Sequence, residues 1–108
     1  MKTILYLSVL FLLDGVPAHD IKQGYFGMFS KVVFNEIRQG NWPNSEQVTF
    51  YASILQIISA VRVTDLTPGK DGVVTISSNK SKGSVTFRLR SAPGKYYKFR
   101  LEVFVIGL

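Results

Sequence analysis

Side chains that carry out most enzymatic chemistry are few in this chain of 108 residues, and they are not grouped along it. The only histidine is His19, near the N-terminus, and there is no cysteine. A serine nucleophile needs a base within hydrogen-bonding reach, and a histidine close to a chain terminus is a poor candidate for that base. The sequence therefore predicts neither a nucleophilic enzyme nor a thiolate zinc site.

The carboxylates that follow residue 18 lie singly, on predicted loops and strand ends: Asp20, Glu36, Glu46, Asp65, Asp71 and Glu102. No spacing brings two of them together, although a glycosidase-like pair could still form in space. Phosphate-binding loops, dinucleotide-binding fingerprints and EF-hand loops are missing from the sequence. We therefore predict a protein that binds without catalysing a reaction and that uses no cofactor or metal ion, and we keep a small hydrolase as the third hypothesis.

The N-terminal segment has the three parts of a secretory signal peptide. Lys2 supplies a positive charge, and Ile4 to Leu13 form an apolar run of ten residues. Val16 and Ala18 have the small side chains that a signal peptidase requires, so cleavage is expected between Ala18 and His19. A membrane-spanning helix needs about twenty apolar residues, and the later sequence has no such run. The prediction is a secreted protein with no transmembrane segment after processing.

The rest of the chain has the size of one small domain, so we assign residues 1–18 to the signal peptide and residues 19–108 to a single domain. Apolar and polar residues alternate after residue 45, which is typical of half-buried strands. Predicted strands cover residues 47–55, 57–65, 73–78, 84–90 and 95–106. Turn sequences rich in Pro, Gly and Asn separate the last four, which indicates antiparallel, all-β architecture.

Hairpin registers counted from these turns give one consistent four-stranded meander at the C-terminal end, with Val63 opposite Val74 and Val74 opposite Phe87. One face of it is apolar: Val61, Val63, Val74, Ile76, Val85, Phe87, Leu89, Tyr97, Phe99, Leu101 and Val103. A slip of one residue would turn each apolar set outward, so the pattern specifies the face strongly. The strand at residues 47–55, with Ile54 facing inward, and the segment 25–37 are available to cover this face. We expect a small antiparallel β-sandwich, with residues 38–45 as a loop and the segment 20–45 not placed.

The opposite face of the predicted meander is polar and basic. Its cations form the candidate anion-binding or partner-binding face: Arg62, Arg88, Arg90, Lys98 and Arg100. The predicted register puts Arg88 directly opposite Lys98, which is mildly destabilising unless the pair holds an anion. The alternative is a solvated strand face, and we favour it because a net charge of +6 is ordinary for a small soluble domain. Nucleic-acid binding is not predicted, because the aromatic residues fall mainly on the inward face.

Two loop residues have a possible role. Asn79 begins an Asn-Lys-Ser acceptor triplet, so it is a possible glycosylation site on an exposed turn. Trp42 lies beside Pro43 in a polar stretch and is either a contact anchor for a partner or a residue folded over the end of the sandwich. We favour the second interpretation of Trp42.

Four stretches of the chain resemble the multiprotein bridging factor two family of insects: Ile57–Asp65, Gly69–Gly72, Val85–Ser91 and Phe99–Val103. The resemblance extends over residues 22–107 and is strongest over residues 57–103. The chain departs from the family pattern at Asp71-Gly72, where the family has paired glycines, at the turn 78–83 and at its last five residues. The matching motifs are mostly structural, and no catalytic residue is implied.

The resemblance implies an insect protein. The founding member of the family was described as a transcriptional co-activator, whereas many relatives look like secreted proteins of saliva, venom or gut, some linked to responses to pathogens. Together with the predicted signal peptide, this favours a secreted, non-enzymatic interaction protein of saliva, venom or gut defence. Its partner is expected to be an extracellular protein or an anionic surface, and its oligomeric state is not predicted. The alternative hypothesis is an intracellular transcription co-activator.

Overall fold

The structure is a computed structural model that describes residues 18–79 and 83–107. In those ranges the chain forms seven antiparallel strands and no helix. The strands are β1 (Ile21–Gly24), β2 (Ser30–Asn41), β3 (Glu46–Tyr51), β4 (Gln56–Asp65), β5 (Gly72–Asn79), β6 (Ser84–Ser91) and β7 (Tyr96–Gly107). The predicted signal segment lies outside the described residues, apart from Ala18. Within the described ranges no helix is long and apolar enough to cross a membrane.

Two sheets face each other and enclose one hydrophobic core. One sheet has four strands in the order β1-β4-β7-β2, and the other has three in the order β3-β6-β5. All eleven residues expected on the inward face are buried in this core, and Phe87 and Phe99 are among its largest side chains. The predicted all-β sandwich is therefore confirmed, and strand alternation assigned the inward side correctly on β4, β5, β6 and β7.

The N-terminal segment closes one side of the sandwich by bonding to both sheets. The backbone of Ala18 exchanges two hydrogen bonds with Val74 on β5, at 2.9 and 2.8 Å, and then β1 pairs with β4. Gly24 ends β1 with a φ of 101°, and a Cβ there would lie 2.2 Å from the carbonyl oxygen of Ser59. Only glycine fits this close approach without strain.

The predicted meander is wrong, although its inward face is right. β5 and β6 form a hairpin, but β4 and β7 pair with each other in the opposite sheet. Arg88 therefore does not lie opposite Lys98, and Val63 does not lie opposite Val74. The β5–β6 register also differs by two residues, with Val74 opposite Leu89 rather than Phe87. Alternation has a period of two, so a shift of two residues or a change of sheet leaves the same side chains inward.

Two strand boundaries also differ from the prediction. β3 ends at Tyr51, so Ile54 lies outside the strand and is exposed rather than inward. β2 continues to Asn41, so residues 38–41 are strand and the loop shrinks to residues 42–45. Pairing along the whole of β7 explains the long β2, since Asn41 still has a partner in Tyr96.

Candidate functional site

The five predicted basic residues do not form one face. Arg88 and Arg90 lie on β6 and point away from the core of the three-stranded sheet, because their neighbours Phe87 and Leu89 point into it. Arg62, Lys98 and Arg100 lie on the outer side of the four-stranded sheet. The two groups are therefore on opposite outer surfaces of the sandwich, which corrects the prediction of a single face.

Two of these cations already have partners within the protein. Arg62 lies opposite Glu102 across β4 and β7 and donates hydrogen bonds to both of its carboxylate oxygens, at 2.8 and 2.9 Å. Hydrogen bonding by Arg62 holds the pKa of Glu102 below its ordinary value. Arg100 donates a longer bond of 3.3 Å to the side chain of Asn35. Because Arg62 is neutralised, it adds little to anion binding.

Arg88 and Arg90 border a groove of about 530 Å³ on the three-stranded sheet, together with Glu46 and Thr75. The carboxylate of Glu46 accepts hydrogen bonds from the Tyr97 hydroxyl at 2.8 Å and from Arg38 at 3.4 Å. Burial, followed by the hydrogen bond to Glu46, raises the pKa of Tyr97 to about 12. With a carboxylate among its walls, this groove is a weaker anion site than the predicted all-basic face.

A second pocket, of about 500 Å³, lies where β2 ends and β7 begins. We call it the loop-end pocket, and its lining is Asn41, Trp42, Pro68, Gly69, Asp71, Gly94, Lys95 and Tyr96. Three loops supply these residues, following β2, β4 and β6. Of these residues, only Trp42 was singled out from the sequence as a possible contact residue. In an antiparallel sandwich these three connections fall at the same end, and that regularity could have found the other members.

Backbone hydrogen bonds join the three loops. The amide of Trp42 donates to the carbonyl of Lys95 at 2.9 Å, and the amide of Ala92 donates to the carbonyl of Asp71 at 2.9 Å. The hydroxyl of Ser91 also donates to the carbonyl of Lys95, at 3.1 Å. The pocket is therefore held by bonds between its loops and not only within them.

Asp65 shapes the loop that follows β4. Its buried carboxylate accepts hydrogen bonds from the amide and hydroxyl of Thr67, at 2.9 and 2.6 Å, and from the amide of Gly72 at 3.0 Å. A Cβ on Gly72 would lie 2.4 Å from the Phe99 ring, so no larger residue fits there. Asp65 and Gly72 therefore both build the loop end.

The loop-end pocket combines aromatic rings with polar groups. Both aromatic residues are about half exposed, Trp42 at 46% and Tyr96 at 43%. Asn41, Asp71 and Lys95 add hydrogen-bond donors and acceptors around them. Such a lining suits a ligand that has both an apolar face and polar edges.

No group of three or more His, Asp or Glu residues in the described ranges could hold a metal ion. His19 hydrogen-bonds through Nδ1 to the carbonyl oxygen of Gly72. The loop-end pocket is lined by two aromatic rings, an amide, a carboxylate and an ammonium group.

The two predicted processing sites lie at the edges of the described chain. Asn79 is exposed at the end of β5, opposite Ser84, and the remaining residues of its acceptor triplet lie outside the described ranges. Ala18 and His19 flank the predicted cleavage site, and both hydrogen-bond to β5. Ala18 bonds to Val74, and His19 bonds to Gly72. Cleavage between them would remove the Ala18–Val74 bridge and leave His19 as the first residue.

Comparisons with protein-family models, with curated proteins and with solved structures find no match to this chain.

Proposed function

We propose that the protein is a secreted, non-enzymatic binding protein and that the loop-end pocket is its ligand site. The observation that carries this proposal is the pair of half-exposed aromatic rings, Trp42 and Tyr96, in a pocket built by three joined loops. Loops positioned by a rigid sandwich are a common place for binding residues. Aromatic residues in such a position are frequent anchors of binding energy.

A saccharide is the ligand class that best fits this lining. A sugar ring presents C–H groups on its face and hydroxyl groups at its edge. The face can lie on the Trp42 or Tyr96 ring, while Asn41, Asp71 and Lys95 are suited to accept from or donate to the hydroxyls. No charged group is required on the ligand, since the pocket has one carboxylate and one ammonium group.

The biological setting rests on the sequence. The predicted signal peptide and the resemblance to the multiprotein bridging factor two family support an insect protein of saliva, venom or gut defence. The co-activator hypothesis remains the alternative, and the two differ in where the chain is found.

Trp42 is the only tryptophan of the chain, so its fluorescence reports directly on the loop-end pocket. We expect a saturable change in emission when the protein is titrated with at least one of the oligosaccharides of chitin, cellulose or heparan sulfate. Tyr96→Ala should weaken that binding at least about tenfold, as is common for a truncated aromatic anchor.

Tyr51→Ala is the matched control, because Tyr51 is also an exposed tyrosine on a strand end but lies outside this pocket. It should leave the affinity unchanged. If no saccharide class alters Trp42 emission, or if Tyr96→Ala and Tyr51→Ala behave alike, the loop-end pocket is not a saccharide site.

A further inference from the structure

The end of the molecule opposite the loop-end pocket carries exposed apolar residues from two separate loops. β7 runs from Tyr96 to Gly107, and at its far end Ile106 pairs with the start of β2 while Gly107 pairs with the start of β4. Loop residues that directly precede those two strands therefore meet at this end. The twelve residues of β7 separate this end of the molecule from the loop-end pocket by about 36 Å.

We call this region the apolar end and define its tip as Met28, Phe29, Ile54 and Leu55. Ile54 is 99% exposed, Met28 86%, Phe29 74% and Leu55 63%. A side chain that is almost fully exposed has almost no contact with the protein, so Ile54 and Met28 project outward. Projecting side chains fit a fluid apolar medium better than a flat, matched protein surface, where partial exposure is usual.

The apolar surface continues from the tip along the outer side of the four-stranded sheet. Val32 and Ile57 are exposed there, and they pair with Phe104 and Ile106 on β7. Phe26 from the loop between β1 and β2 packs edge-to-face on Phe104, with ring centroids 4.9 Å apart. The exposed apolar residues are therefore contiguous and not scattered, which marks an interaction site rather than ordinary surface.

The charge around the apolar end has one sign. Residues 25–33, 51–58 and 104–107 contain no Asp or Glu, whereas Lys31 is exposed among them. Farther along the same outer side, the only carboxylate of β7, Glu102, is bound by Arg62. An apolar tip with an exposed lysine beside it and no carboxylate in these three ranges complements an anionic membrane surface, where both contributions favour binding.

We propose that the apolar end inserts its tip into anionic lipid bilayers, which anchors the protein to a membrane surface and leaves the loop-end pocket facing away from it. This proposal goes beyond the proposed function and uses none of the pocket residues. Insertion requires no change of fold, because the tip side chains are already exposed.

The test is co-sedimentation of the protein, secreted from cells that express the full chain, with lipid vesicles. We expect binding to mixed phosphatidylcholine and phosphatidylglycerol vesicles about fivefold stronger than to phosphatidylcholine alone, because Lys31 near the surface adds to the attraction. Ile54→Asp should weaken binding to the mixed vesicles at least about tenfold, because burial of an isoleucine side chain is worth that factor or more. Leu66→Asp introduces the same charge at the opposite end, at a residue that is 37% exposed, and should leave binding to the mixed vesicles unchanged.

A second measurement locates the contact. The chain has no cysteine, so Ile54→Cys and Leu66→Cys each create one site for an environment-sensitive fluorophore. Emission should shift to the blue with mixed vesicles for the label at position 54 and stay constant for the label at position 66. Three results would overturn the proposal: no binding to vesicles, unchanged vesicle binding by Ile54→Asp, or a self-association that Ile54→Asp abolishes while no vesicle binding is seen. The third result would identify a contact between two copies of the chain.

Discussion

Asp65 is the residue whose side-chain hydrogen bonds build the turn at the loop end. It is only 2% exposed, and its two carboxylate oxygens accept three hydrogen bonds from Thr67 and Gly72. The amide of Asp65 itself donates to the carboxylate of Asp20 at 2.7 Å, which joins this turn to the N-terminal segment. One side chain thus fixes the turn after β4 and the start of β5.

Removing the Asp65 carboxylate should destabilise the fold strongly. Asp65→Ala leaves three buried donors without an acceptor, and we expect the free energy of unfolding to fall by about 2–4 kcal/mol. Asp65→Asn keeps the shape and one acceptor oxygen, so its loss should be smaller. Urea denaturation of the three proteins measures the difference. Equal stability of Asp65→Ala and the unchanged protein would show that this turn does not depend on its carboxylate.

The elements show what alternation can and cannot predict. Inward and outward positions on β4 to β7 follow from the period of two. The inward residues were therefore predicted correctly, from Val61 on β4 to Val103 on β7. Strand partners were not, because a meander in one sheet and a sandwich of two sheets bury the same residues. The choice depends on contacts distant in sequence, such as the pairing of β2 with β7, which no local pattern contains.

The candidate site was missed for the same reason. Trp42 was singled out as a loop residue, but its neighbours in the loop-end pocket come from turns that begin at Leu66 and Ala92. The predicted basic face failed when β6 and β7 proved to lie in different sheets. A charged surface can be predicted correctly only when the pairing of the strands that carry its residues is known.

Engineered disulfides test the observed strand pairing. The hydroxyl oxygens of Thr49 on β3 and Thr86 on β6 are 2.9 Å apart on directly opposite residues, so Thr49→Cys with Thr86→Cys should form a disulfide. Arg88→Cys with Lys98→Cys should keep two free thiols, because these positions point to opposite sides of the sandwich. Thiol titration after mild oxidation distinguishes the pairs. Ready oxidation of the second pair and not the first would favour the meander.

The described part of the molecule is elongated, with extents of 45 × 24 × 22 Å, and its two ends differ in chemistry. One end holds the loop-end pocket with Trp42 and Tyr96, and the other holds the apolar tip around Ile54. A membrane contact at the tip would present the pocket to ligands in solution.

The proposed function depends most on the proposed extracellular location, and intact mass spectrometry of the native protein tests that location. Culture medium and lysate from expressing cells are measured side by side. We expect a species in the medium that begins at His19, with or without a glycan on Asn79. A full-length mass confined to the lysate would contradict secretion and favour the intracellular co-activator hypothesis.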